Sequence, residues 1–294
     1  MDHLHSALVD DLVRRRGVVM LAGAPDSGKT SLAKRLLAAA VDAGKVTAYI
    51  DADTDQSTTG PPSCVGLKVV TTVADLDDLA TADELRFVGA IGSDGVILQH
   101  VVATASLVEE ARAQEADLVI VDTMGDISGV SGQTLKYHTM ELLRPEVVVA
   151  LERGAELEPL VGMFRRFFDA DVEVAPVDPD VRPASPEDRR SHRAKGFATA
   201  FAEPLQRWRV RNTVFAPTLP AGLDLDRLHH MLVGLHDGQG RCLGLGMLEH
   251  TDDALRVITN SGEDMRGLRL GSLRLDPDTF DVTRVKLREV MFGI

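Results

Sequence analysis

"GVVMLAGAPDSGKTSLAKRLLAAA", residues 17–40, decides the fold. Its first six residues are an unbroken apolar run, and its tail carries apolar residues at helical spacing. Between them "GAPDSGKT" (23–30) fits G-x-x-x-x-G-K-[ST] in the strand-before, helix-after setting that the pattern requires. Gly23 and Gly28 let the backbone curl so that successive N–H groups converge on phosphate oxygens. The following helix N-terminus adds its partial positive charge. Gly23, Ala24, Pro25, Asp26, Ser27, Gly28, Lys29, Thr30 and Ser31 therefore read as a cradle for a nucleoside triphosphate. Lys29 is placed to bridge the β- and γ-phosphates and the Thr30 hydroxyl to hold Mg²⁺. ATP is the expected nucleotide with GTP as the alternative, and Mg²⁺ the expected metal with Mn²⁺ as the alternative.

Outward from this stretch the chain alternates apolar runs with helical patterns as far as residue 175. The runs are "GVVMLA" (17–22), "KVTAYID" (45–51), "LRFVGAI" (85–91), "ADLVIVD" (116–122) and "EVVVAL" (146–151). Unbroken apolar strands between helices predict a parallel sheet covered on both faces, with functional loops at the strands' carboxyl ends. After Val174 the composition changes: "APVDPDVRPASPEDRRSHRAKG" holds four prolines and then a basic helical stretch. From Arg211 on, short segments with glycine turns predict a small antiparallel β domain. The expected division is a P-loop domain at 1–175, a hinge and lid at 176–210, and a β-rich domain at 211–294.

Composition narrows the function. The apolar content of 44% suits a soluble protein with a sizeable core. With 45 acids against 32 Lys plus Arg, net −13, the chain is not built to coat nucleic acid with its whole surface, so any such contact is local. No run approaches 18 apolar residues, and the two cysteines, Cys64 and Cys242, suggest neither a disulfide framework nor a zinc site. A reducing, cytoplasmic setting without a membrane is expected.

Two strand ends carry the acids that could work beside a phosphate cradle. "DADTDQSTTGPPSCVGL" (51–67) begins with Asp51 and Asp53 at the end of an apolar run. A carboxylate there takes a proton from an attacking hydroxyl, holds the water shell of Mg²⁺, or merely caps the next turn. "LVIVDTMG" (118–125) ends its run in Asp122, the form of a Walker B acid, whose plainer reading is again a loop cap.

The pattern "YIDADTDQSTTGPPSCVGL" resembles the strand and clasp of the Clp1/Grc3/Nol9-type polynucleotide 5′-hydroxyl kinases, with D-x-D-x-G-Q-S and a proline pair. "VDTMGDISGVSGQTLKYHTMELLRPEVVVAL" (121–151) and the arginine pair of "SPEDRRSHR" (185–193) are similar to further stretches of that family. The resemblance implies an ATP- and Mg²⁺-dependent kinase acting on single-stranded RNA or DNA 5′-hydroxyl ends. It implies Asp51 as general base, Asp53 and Gln56 as aids to metal or substrate, and Asp122 with Thr30 at the metal. It further implies that Thr59, Gly60, Pro61 and Pro62 clasp Lys29, and that Arg189 and Arg193 are lid arginines steadying the transferring phosphoryl. The family glycine before Gln56 is Asp55 here, Ser93-Asp94 replaces a Ser-Pro, and His138-Thr139-Met140-Glu141 lacks a family lysine.

Between Arg182 and Arg211 stand eight basic residues and three acids, a local reversal of charge in keeping with a lid on a proline-rich hinge, or with a plain solvated face. Trp208, among three arginines, either stacks on a base or packs at the domain junction. Two other functions fit the cradle: an ATP-binding scaffold of an RNA-processing complex with weak or no kinase activity, and a small-molecule kinase with an enclosed acceptor pocket.

Overall fold

Four of the five apolar runs become the centre of a seven-stranded sheet because both of their faces are covered, and the fifth, 85–91, supplies an edge strand. The computed structural model of the chain describes residues 5–251 and 254–293. Helix α1 (Ser6–Arg14) leads into β1 (Gly17–Gly23), α2 (Lys29–Asp42), β2 (Thr47–Ala52), β3 (Cys64–Val70), α3 (Val73–Asp77) and β4 (Glu84–Phe87). Then follow α4 (Ile97–Ala113), β5 (Leu118–Thr123), α5 (Gly129–Leu143), β6 (Val147–Glu152), α6 (Glu158–Phe167) and β7 (Asp171–Pro176). The strand order is β4-β3-β2-β5-β1-β6-β7. On β1, Val18 and Met20 face the core under α4, α5 and α6, while Val19 and Leu21 face α1 and α2. Successive side chains on one strand thus feed two cores, which is why the sequence shows no alternation there.

The expected parallel pairing holds for β2, β5, β1, β6 and β7, whereas β3 runs against them, antiparallel to both β2 and the edge strand β4. The physical reason is the connection. The β2–β3 link is the 53–63 loop rather than a crossover helix, and a loop without a helix returns the chain antiparallel. In register, Asp51 of β2 lies beside Asp122 of β5, at the same sheet edge as the phosphate loop.

Helix α7 (Pro186–Ala200) opens on a Ser185/Asp188 capping box, and β8 (Gln206–Arg209), β9 (Phe215–Ala216), β10 (Met231–His236), β11 (Cys242–Thr251), β12 (Ala254–Thr259), β13 (Gly267–Leu275), β14 (Val282–Arg284) and α8 (Leu287–Phe292) complete the chain. The second sheet has the order β14-β13-β10-β11-β12-β8, with β9 beside β13. Residues 206–209 therefore belong to it, and Trp208 is partly buried in its core against Gly262, away from the nucleotide cavity. The two sheets share a buried cluster formed by Cys64, Phe87, Phe197, Leu232, Cys242 and Leu273 with their neighbours. Both thiols are free and buried, and Cys242 Sγ donates to the Gly244 carbonyl (3.4 Å). No helix among the described residues is long and apolar enough to cross a membrane.

Candidate active site

The phosphate loop leaves β1 at the carboxyl edge of the sheet. Asp26 (φ 54°) and Gly28 (φ 85°) take left-handed backbone, the strained curl that an anion nest needs. The glycine of "DTMG" seats it from behind: a Cβ on Gly125 would lie 2.6 Å from the Pro25 nitrogen. Lys29, at the start of α2, folds back to donate to the carbonyls of Gly23 (3.0 Å) and Ala24 (2.9 Å). Burial lowers its pKa, while Asp122, Asp53 and Asp26 favour the charged form. Thr30 Oγ1 donates to Asp122 Oδ2 at 2.6 Å, and the Tyr49 hydroxyl donates to the same oxygen at 3.0 Å. Burial pushes the Asp122 carboxyl above its ordinary value.

Asp51 and Asp53, two positions apart, have opposite surroundings. Asp51 is 1% exposed. Its Oδ1 accepts from the Asp53 N–H (3.0 Å), and its Oδ2 from the N–H groups of Thr58 and Thr59. Burial, then the charges of Asp122 and Asp53, hold its pKa well above normal. Asp51 does not line the nucleotide cavity. Asp53 does, with Oδ1 accepting from Asp55 N (3.0 Å) and Gln56 N (2.9 Å) and no partner on Oδ2 among the described residues. Of these two acids only Asp53 faces the cavity, because Asp51 lies within β2, one position before its end, and Asp53 is the first loop residue.

The clasp does not bond to Lys29, whose hydrogen-bond partners among the described residues all lie in its own loop. Thr59 instead donates to Leu79 O (2.6 Å), and its carbonyl lies where a Cβ on Gly66 would come within 2.3 Å. Gly60 (φ 78°) and Pro61 carry the turn, and Pro62 meets the lid helix at Gly196, where a Cβ would stand 2.8 Å from the proline ring. The clasp thus braces the lid. Gln56 Nε2 donates to Arg189 O (3.3 Å), and His192 Nε2 to Ser57 O (3.0 Å). Arg189 ion-pairs with Asp26 and Arg193 with Asp55. The departure at Asp55 thus has a structural partner in the second lid arginine.

The phosphate loop, Asp53 and Arg189 help to enclose one cavity of about 410 Å³, which neither the clasp residues 59–62 nor Arg193 lines. It is lined by Pro25 to Ser31, Asp53, Asp55, Gln56, Gly92, Met124 to Asp126, Val181, Arg182, Arg189 and Arg284. Asp122 lies one layer below, reached through Thr30. Some residues here carried no assignment from sequence. Lys136 of α5, 1% exposed, donates to Thr123 Oγ1 and Met124 O (both 2.7 Å), and burial lowers its pKa to about 7. It pins the loop after β5, and the buried face of α5 was its only signal. Arg284, from β14, had none.

The Thr30 hydroxyl and Asp122 carboxylate offer adjacent hard oxygen donors, which suits Mg²⁺ carrying waters and phosphate oxygens. A carboxylate facing the cavity beside that pair, with cationic side chains overhead, can serve in-line transfer of a phosphoryl group.

The pattern of the family described as the mRNA cleavage and polyadenylation factor CLP1 P-loop matches residues 23–203. A protein of Methanocaldococcus jannaschii named polyribonucleotide 5′-hydroxyl-kinase is 26% identical, over 88% of this chain and 87% of its own. One of the same name from Pyrococcus furiosus is 26% identical over 90% of each. A chain in a structure of the wild-type Clp1p–Pcf11p complex superposes with a TM-score of 0.70, covering 91% of this chain and 78% of itself at 15% identity, a likeness of fold. With phosphate loop, clasp and lid all inside a match that spans more than half of its length, the chain belongs to the CLP1 P-loop family.

Proposed function

We propose that the chain is an ATP-dependent polynucleotide kinase that transfers the γ-phosphate to the 5′-hydroxyl end of RNA or DNA. The observation that carries this reading is the single cavity in which the phosphate loop, the uncommitted oxygen of Asp53 and the lid residue Arg189 meet. The relatives' name puts RNA first among acceptors. GTP, which offers the same phosphates, is the alternative donor.

In this reading the loop's N–H groups hold the triphosphate, and Lys29 exchanges the carbonyls of Gly23 and Ala24 for phosphate oxygens. Thr30 and Asp122 would hold Mg²⁺, or Mn²⁺ in its place, which supplies charge neutralisation on the phosphates. Asp53 accepts the proton of the acceptor hydroxyl as that oxygen bonds to phosphorus and the bond from phosphorus to the departing diphosphate breaks. Arg189 and Arg193 leave Asp26 and Asp55 to steady the equatorial oxygens, and the clasp holds the lid in place. Asp51 keeps the loop that aims Asp53. A reducing cytoplasm suits the two free thiols.

The same two ion pairs favour a second reading, a nucleotide-binding subunit of an RNA-processing complex whose lid stays latched. Labelled ATP incubated with 5′-hydroxyl oligonucleotides separates the two. The kinase reading expects label on the oligonucleotide 5′ end, abolished by Lys29→Ala. Bound ATP without transfer, in either Mg²⁺ or Mn²⁺, would leave the scaffold.

A further inference from the structure

We infer that the acceptor strand leaves the transfer cavity over Arg284 and continues into a basic groove on the second sheet, which binds its phosphate backbone. The inference deepens the kinase reading by naming how a polynucleotide, rather than a lone nucleotide, is held.

The cavity wall is built from the first sheet's loops and the lid, with one exception. Arg284 comes from β14 of the second sheet, and it reaches the cavity across the loop after β4. Its guanidinium stands 3.2 Å from where a Cβ on Gly92 would be, and Gly92 holds φ 93°, so a side chain at 92 would be strained and would displace it. Arg189, Arg190 and Arg193 are each spoken for by an aspartate. Arg284 has no ion pair among the described residues, although it is exposed and could be reached by a ligand.

The same arginine lines a second cavity of about 370 Å³, together with Arg227, Arg274, Lys286 and Glu289. Four cations face one carboxylate there, in a chain of net charge −13. Glu289 is partly taken by Lys286 (2.9 Å), and the Arg227–Asp224 pair is stretched to 4.0 Å. Arg274 donates to Arg227 O (2.8 Å), which fixes its fork, and its Nε is buried without a partner among the described residues. Arg284 is thus a shared wall between the phosphoryl-transfer cavity and a cationic groove. A linear polyanion whose end lies beside Asp53 is the ligand that uses both at once. Guanidinium groups with open donors are the residue type that binds phosphodiester oxygens. The groove is outside the 23–203 span shared with the family pattern.

The test is fluorescence anisotropy on the full chain without ATP, using 5′-hydroxyl oligoribonucleotides of two, five and ten residues over a range of salt. The wild type is expected to bind the longer strands more tightly. Arg284→Glu should weaken decamer binding by roughly tenfold and flatten the log–log salt slope by about 0.7 per lost phosphate contact. Arg284→Lys should retain most of the affinity, and Lys286→Glu should weaken the decamer while sparing the dinucleotide. Equal affinities for dinucleotide and decamer, an unchanged decamer affinity and slope in both glutamate variants, or competition by polyglutamate as effective as by RNA would overturn the inference. Because the measurement needs no catalysis, a wild type that binds in this way but transfers no label would retire the kinase reading and leave the strand track standing.

Discussion

Asp51 and Asp53 show how two identical side chains acquire different tasks from one turn of backbone. Asp51 lies within β2, one position before its end, so its carboxylate is buried at the sheet edge, where three N–H groups fill it. Replacing it with Asn would set an amide N–H against one of those donors, at a cost of about 1–3 kcal/mol. Thermal melting of Asp51→Asn should therefore fall by several degrees, with the loss of activity following the loss of structure. Asp55 offers a second test at this scale. It holds Arg193, so Asp55→Gly should raise hydrogen exchange across α7 several-fold in the nucleotide-free protein, while Asp55→Glu should not. Clasp and lid arginines entered through the family resemblance, whereas the phosphate loop was legible in the sequence as a local pattern of residue types. Which of two neighbouring acids faces the cavity was not, since that depends on where the strand stops.

Helix α4 meets the end of β2 through one buried histidine. His100, 2% exposed, donates from Nε2 to the Ala52 carbonyl at 2.8 Å, and Nδ1 has no partner among the described residues. Burial, then the charge of Lys136, lowers its pKa from 6.5 to about 4. Between those values the unfolded chain binds the proton and the folded one does not, so this stability is complete above pH 6.5 and is lost as pH falls toward 4. The contribution is of order 3 kcal/mol at most. His100→Gln should therefore show a smaller drop in melting temperature than the wild type between pH 6.5 and pH 4, and equal drops would refute the role. The same scale explains the strands that sequence did not reveal. Reading for unbroken apolar runs finds strands buried on both faces. It passes over β3, broken by Gly66 and Lys68, and β7, whose alternating Asp171, Val172 and Glu173 mark an edge.

At the scale of the whole molecule, the second sheet is docked on the β3–β4 edge closely enough that small residues are required. A Cβ on Gly234 would come within 2.4 Å of the Phe87 ring, and one on Gly89 within 2.8 Å of Gly271. A β-rich C-terminal region was readable from its short segments and glycine turns. That it delivers Arg284 to the nucleotide cavity was not, because the contact joins positions 92 and 284, which no local pattern links. The phosphate loop, Arg189 and this arginine converge on one cavity, and its wall includes Asp53, one of whose oxygens has no hydrogen bond among the described residues. The most direct test is transfer of labelled γ-phosphate from saturating ATP to a 5′-hydroxyl oligoribonucleotide, wild type beside Asp53→Asn, with ATP binding and melting temperature measured on both. The account predicts an end-labelled product from the wild type and a rate lower by about 10²- to 10⁴-fold in a variant that still folds and binds ATP. No labelled product from the wild type, or equal rates from both proteins, would contradict it.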